Sequence, residues 1–259
     1  MANRRLFCLL LILSTGAHAQ WLNLPTPGTP RSRNGKPNLT APAPRQNGGT
    51  PDLSGVWQVE GTTDTGGLGE SQISPYFLNF LAAFKPGEEP FQSAAVRKSR
   101  PDRPPLPPCP PARLPNSDVL PVPFKIVQTP GLTLILYEDF ENFRQIHTDG
   151  RRLPRDPQPT FLGYSVGSWE GATFVVNTTG FNDLSALDAL GHPHSEAMRI
   201  TERFRRLDFG HMQLQITMDD PATYTRPVTV SVPLRLLPDT DILESVCEDE
   251  KDQAHIGHH

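Results

Sequence analysis

The chain has 259 residues, 36% hydrophobic and 20% charged, with a formal net charge of −4. That length suits one β-rich domain with extensions, or two small domains. A nucleic-acid-binding protein would carry a concentrated basic stripe. The nearest cluster here, Arg199, Arg203, Arg205 and Arg206, is diluted by neighbouring Glu and Asp, which argues against nucleic acid as a partner.

Residues 1–19 read as a signal peptide. Arg4-Arg5 form a positive start, residues 6–13 an apolar run, and Ala17-His18-Ala19 a small-residue cleavage site. The expected location is periplasmic or secreted. No apolar run reaches the roughly 20 residues of a membrane span, so no transmembrane segment is expected. Cleavage would remove Cys8 and leave Cys109 and Cys247. In an oxidising compartment such a pair reads as a disulfide, with two free thiols as the alternative. The bridge would stabilise the fold by about 4–5 kcal/mol on the chain-entropy model.

Residues 20–50 are rich in Pro, Gly, Asn and Thr and poor in apolar groups, and read as a linker. Order is expected from Pro51, with a short strand carrying Trp57 into the core. Residues 74–84 predict an amphipathic helix of about three turns: Ser74 at the N-cap, Pro75 in the first turn, and Phe77, Phe80, Leu81 and Phe84 on one face. Residues 86–123 return to proline-rich coil, so 51–123 hold a first strand, a helix and a loop. Twenty of the 29 prolines precede Phe124, which places the compact core at 124–249 and a tail at 250–259.

From Phe124 the signal is β. Residues 124–128 and 132–138 flank a Pro130-Gly131 turn, 143–148 follow, and 163–169 and 172–178 flank Glu170-Gly171. Strands at 198–206, 211–218 and 228–236 alternate apolar and polar residues with period two, and a last strand is expected at 242–247. Eight or nine strands with one apolar face each need closure to hide that face and the edges. The expected fold is all-β, an antiparallel barrel with a short N-terminal helix and Pro-rich extensions, with a β-sandwich as alternative.

Gly55-Val56-Trp57 opening a meander resembles the lipocalin pattern, which implies a ligand-holding barrel. More of the chain is similar to an uncharacterised family of exported bacterial proteins of the acidobacterial type. That similarity runs through residues 51–57, 124–130, 164–171, 180–183, 191–196, 201–204 and 243–247, and it implies no activity.

Three groups of residues carry possible chemistry. His192, His194 and Glu196 alternate along an extended loop and could converge as metal ligands for Zn, Fe or Mn, or be a polar loop bonded to backbone. His147, at a strand end, suits a third ligand or general base if the barrel brings it near that loop. Glu202 shares the parity of Ile200 and Phe204, so its carboxylate faces inward and needs a partner, for which Arg144 is the candidate. The pair either braces the barrel or grips a ligand, with Glu202 then a catalytic candidate. Asn182, Asp183 and Asp188 extend a carboxylate site or shape the loop, and Tyr164 and Trp169 line a pocket or pack as core.

The leading expectation is an exported barrel binding a small, partly apolar molecule. The alternatives are a metal-assisted hydrolase or lyase acting on a sugar-like or phenolic compound, and an interaction module of the envelope. Oligomeric state is left open.

Overall fold

The computed structural model describes residues 24–60, 74–92, 111–139 and 142–245. The expected signal peptide, the tail, Cys109 and Cys247 all lie outside these residues.

Nine strands form a closed barrel in chain order: β1 (Gly55–Val59), β2 (Phe124–Thr129), β3 (Leu132–Tyr137), β4 (Phe143–His147), β5 (Tyr164–Glu170), β6 (Thr173–Thr179), β7 (Arg199–Arg206), β8 (His211–Asp219) and β9 (Val228–Leu236). The period-two strands behave as their patterns dictate. In β9 every even-numbered residue from Val228 to Leu236 is buried and every odd-numbered one exposed, and β8 alternates between buried and half-buried residues. Trp57, Phe124, Ile146, Phe174, Phe204, Leu214, Ile216 and Leu234 meet in the lumen. Large buried side chains thus occupy the interior, as in a small barrel whose side chains fill it.

One strand pair departs from the antiparallel expectation. β4 and β5 are parallel, with Ile146 opposite Ser165 and His147 opposite Val166. Parity requires such a pair. Nine meandering strands that alternated throughout would leave β1 and β9 pointing the same way, whereas here they close antiparallel, Trp57 opposite Leu236. A parallel pair cannot be joined by a tight turn. Residues 148–163 therefore run back along the outside of the barrel before β5 begins.

The three-turn helix shrinks to one turn, α1 (Pro75–Leu78), although Ser74 does cap it by accepting from the Tyr76 N–H. A neighbouring loop takes over the groups that would have continued it. Asp188 Oδ2 accepts the Phe80 N–H at 2.6 Å, and the N–H groups of Ala189 and Leu190 donate to the carbonyls of Phe77 and Leu78. A second single turn, α2 (Asn116–Val119), lies in the supposed coil and is buried throughout. Residues 241–245 are not a strand; their place is fixed by Lys125 Nζ on Asp241 and by the Leu243 N–H on Glu138. Among the described residues no helix is long and apolar enough to cross a membrane.

Residues 24–50 are laid against the barrel rather than strung out as a linker. They contain one unit twice, 14 residues apart: Pro30-Arg31, Gly35, Pro37, Leu39 and Pro44-Arg45, Gly49, Pro51, Leu53. Each copy is a small hairpin, with bridges Arg31 to Pro37 and Arg45 to Pro51, and in each the arginine donates to the glycine carbonyl. Both turns need a left-handed residue, met by Gly35 at φ 79° and Gly49 at φ 82°.

Arg206 joins the second copy to the barrel. Its guanidinium donates to the carbonyls of Asp52 (2.5 Å), Asp208 (3.2 Å) and Phe209. It also lies over the rings of Trp57 and Phe209, 4.9 and 5.3 Å from their centroids. Burial pulls its pKa down to about 10. The first copy docks next door, where the N–H groups of Phe209 and Gly210 donate to the carbonyls of Ala41 and Leu39.

Candidate functional site

The expected inward pair exists. Arg144 and Glu202 face each other across the lumen, 2% and 0% exposed. Arg144 Nη1 donates to Glu202 Oε1 at 2.9 Å, and Nη2 donates to Oε2, a fork-to-fork pair. Nε donates to Ser165 Oγ at 3.1 Å and Nη2 also to Thr178 Oγ1 at 2.9 Å. A second carboxyl, not expected from the sequence, is Asp118 of α2. It accepts the Tyr137 hydroxyl at 2.8 Å and sits 3.5 Å from Arg144 Nη1.

Desolvation is the largest influence and works against the Arg144 charge, but Glu202, Tyr137 and Asp118 together hold the guanidinium above its ordinary value. Asp118 goes the other way. Burial, then the nearby Glu202 carboxylate, push its pKa well above the usual 3.8, against the pull of Arg144 and of the Tyr137 hydroxyl. Two carboxyls thus face one guanidinium, and burial beside Glu202 favours the acid form of Asp118.

A stability profile follows. A carboxyl whose folded pKa is raised stabilises the fold below the unfolded value of 3.8, and that contribution is lost as pH rises through the raised folded value. The urea midpoint of the wild type should therefore fall as pH climbs above 3.8, and Asp118→Asn should flatten that fall. Parallel profiles for the two proteins would show that Asp118 does not carry it.

The expected metal site does not assemble. His192 Nδ1 is 2.5 Å from Asp188 Oδ2, while His194 Nε2 turns to Ser185 Oγ at 3.0 Å. Glu196 lies within the turn that the Met198 N–H closes on the Ser195 carbonyl, and it is exposed. Alternation along the loop did not converge because Asp188 and Ser185 draw the two rings to separate partners. Among the described residues no three His, Cys, Asp or Glu side chains are grouped to hold a metal ion. The Ser185–His194 distance is that of a nucleophile and base. With exposures of 2% and 5%, the pair is instead a brace within the loop, as is Asp220, which accepts the Ser195 N–H and hydroxyl, both at 2.7 Å.

His147 does not join that loop. It stands on the outer face of β4, its ring stacked on Tyr164 at 5.1 Å. Trp169 packs against Phe174 at 5.3 Å, as core rather than pocket. Asn182 shapes the loop by accepting the Leu184 N–H, and Asp183 is half-buried there.

Among the described residues an open concavity lies outside the barrel. Residues 151–159, part of the return demanded by the parallel β4–β5 pair, roof a groove on the outer face of β5, β6 and β7. Its larger lobe, about 510 Å³, is lined by Arg155 and Asp156 from the roof and by Phe181, Glu196 and Arg199 from the wall. A second lobe of about 260 Å³ is lined by Arg152, Leu153, Val166, Asn177, Arg199 and Thr201. Leu153, Thr179 and Arg199 line both lobes. The floor is one row of the sheet, since His147, Val166, Asn177 and Thr201 are successive partners from β4 to β7 and so share a face. The roof touches down at Gly180, where a Cβ would fall 2.6 Å from Pro157 Cγ. A glycine at φ 77° allows that approach. Of the expected site residues Glu196 lines the groove and His147 stands in its floor row. Arg152, Arg155 and Arg199 were not expected.

No protein-family model, curated protein or solved structure matches the chain.

Proposed function

We propose that the chain is an exported small-molecule-binding β-barrel protein whose ligand lies in the groove beneath residues 151–159. The signal-like sequence at 1–19 supports export. The observation that carries the binding reading is the larger lobe, whose volume of about 510 Å³ falls within the range of small-molecule sites. A luminal ligand has less support. The inward positions are occupied by large apolar side chains, and Arg144 already has Glu202, Ser165 and Thr178 for partners.

The experiment is to purify mature protein from its native host without denaturation and identify co-purifying small molecules by mass spectrometry. Beside it goes Thr179→Trp, which adds bulk at a residue lining both lobes of the groove. A molecule present in the wild type and depleted at least about tenfold in the folded variant is the expected result. A molecule retained equally by both would place the ligand elsewhere.

A further inference from the structure

Resting on that reading of the groove, we infer that its ligand is a monocarboxylate with an apolar body, held by Arg199 with Arg152 and Arg155. The first observation is the state of the three guanidiniums. None of them makes a hydrogen bond or ion pair to another described residue, although their neighbours do. Arg203, four residues on along the same face of β7, pairs with Glu170 at 2.5 Å. Arg151, beside Arg152, holds Asp149 at 2.6 Å and donates to the Tyr164 hydroxyl at 3.1 Å. Arginines open to one concave surface present forks matched to a planar carboxylate.

The second observation is where they stand. Arg199 lines both lobes, Arg155 only the larger and Arg152 only the smaller. An acid group at the junction thus meets Arg199 whichever lobe takes the rest of the molecule. Charge then limits the ligand. Three arginines face two carboxylates, Asp156 and Glu196, an excess of one positive charge that suits a monoanion. A polyanion in the larger lobe would also meet Asp156 and Glu196, at a repulsive cost. In the smaller lobe Leu153 and Val166 supply apolar wall, and Asn177 and Thr201 supply polar groups without charge. That combination fits an apolar or ring-bearing body with an acid head.

The test uses benzoate, its neutral isostere benzamide and phenyl phosphate as probes. Binding is followed by amide chemical shifts of isotope-labelled mature protein and by titration calorimetry. The expected result is that benzoate shifts the amides of residues 152–157, 177–181 and 197–201, and that benzamide and phenyl phosphate bind at least about tenfold more weakly. Arg199→Gln should weaken benzoate by about tenfold or more and Arg199→Lys by less, with circular dichroism and melting temperature unchanged because the side chain is exposed. Benzamide shifting the same amides as strongly would overturn the acid inference and leave the groove reading standing. Phenyl phosphate binding more tightly would replace carboxylate with phosphate chemistry. Silence from all three probes, or shifts only elsewhere, would also overturn it. The groove itself is then judged by the co-purified molecule and Thr179→Trp.

Discussion

Glu202→Gln should destabilise the protein by about 3–5 kcal/mol, because it leaves a buried guanidinium without its fork-shaped partner. The loss should fall toward the lower end of that range, for a reason specific to this lumen. Asp118 Oδ2 is already 3.5 Å from Arg144 Nη1, and what raises its pKa after burial is the presence of Glu202. With that carboxylate gone, Asp118 can ionise and become the counter-charge. Asp118→Asn alone should be mild near neutral pH, about 1 kcal/mol, since the Tyr137 hydroxyl can still donate to an amide oxygen. The double variant removes both acids and strands the guanidinium, so its loss should exceed the sum of the single losses by about 0.5–3 kcal/mol. Urea denaturation of the four proteins at one pH measures this. An additive cycle would mean that Asp118 is no reserve for the charge. A Glu202→Gln protein as stable as wild type would mean that the pair does not brace the barrel and would return Glu202 to the role of gripping a ligand.

How far the sequence disclosed this arrangement depends on whether the cause was local. Parity along a strand is local, so placing Glu202 with Ile200 and Phe204 correctly aimed it inward, where Arg144 of β4 meets it. The same local logic found β2–β3, β5–β6 and the long alternating strands. It failed wherever a distant segment competed for the same groups. The helix expected at 74–84 had every local signal, yet Asp188, more than 100 residues on, took the Phe80 N–H. His192 and His194 had the right spacing for a shared metal, but Asp188 and Ser185 were nearer partners. Asp118 sits in a Pro-rich stretch with no periodicity, so nothing local marked it as buried.

The groove was hidden for a different reason. It exists because an odd number of strands closed with one parallel pair, and neither the count of nine nor the place of that pair can be read from alternation. Only after the return segment is laid along the barrel do Arg152, Arg155 and Arg199 face one space. The duplicated N-terminal unit, by contrast, was legible: Pro-Arg, Gly, Pro and Leu recur at the same spacings. Composition pointed to a linker, and composition discards order.

That duplication gives Arg206 its expected importance. Arg206→Met keeps an apolar stem against Trp57 but removes every donor to the carbonyls of Asp52, Asp208 and Phe209. Bonds from a charged donor contribute about 1.5–3 kcal/mol each, and neighbouring losses are not additive, so a total near 3 kcal/mol is expected. Arg206→Lys should recover only part, because one ammonium cannot match a planar fork directed at three oxygens. The loss should also be directional. Both N-terminal hairpins are seated around the β7–β8 turn, the second through Arg206 itself and the first through Phe209 and Gly210. In Arg206→Met, trypsin should cut at Arg31, Arg33 and Arg45 well before it cuts the barrel, at a denaturant concentration where the wild type resists. Simultaneous loss of both regions would mean that the hairpins and barrel unfold as one unit. Unchanged cleavage and an unchanged midpoint would mean that the Arg206 contacts contribute little. The released-arm outcome would make residues 24–52 a clasp whose hold on the barrel depends on the Arg206 guanidinium.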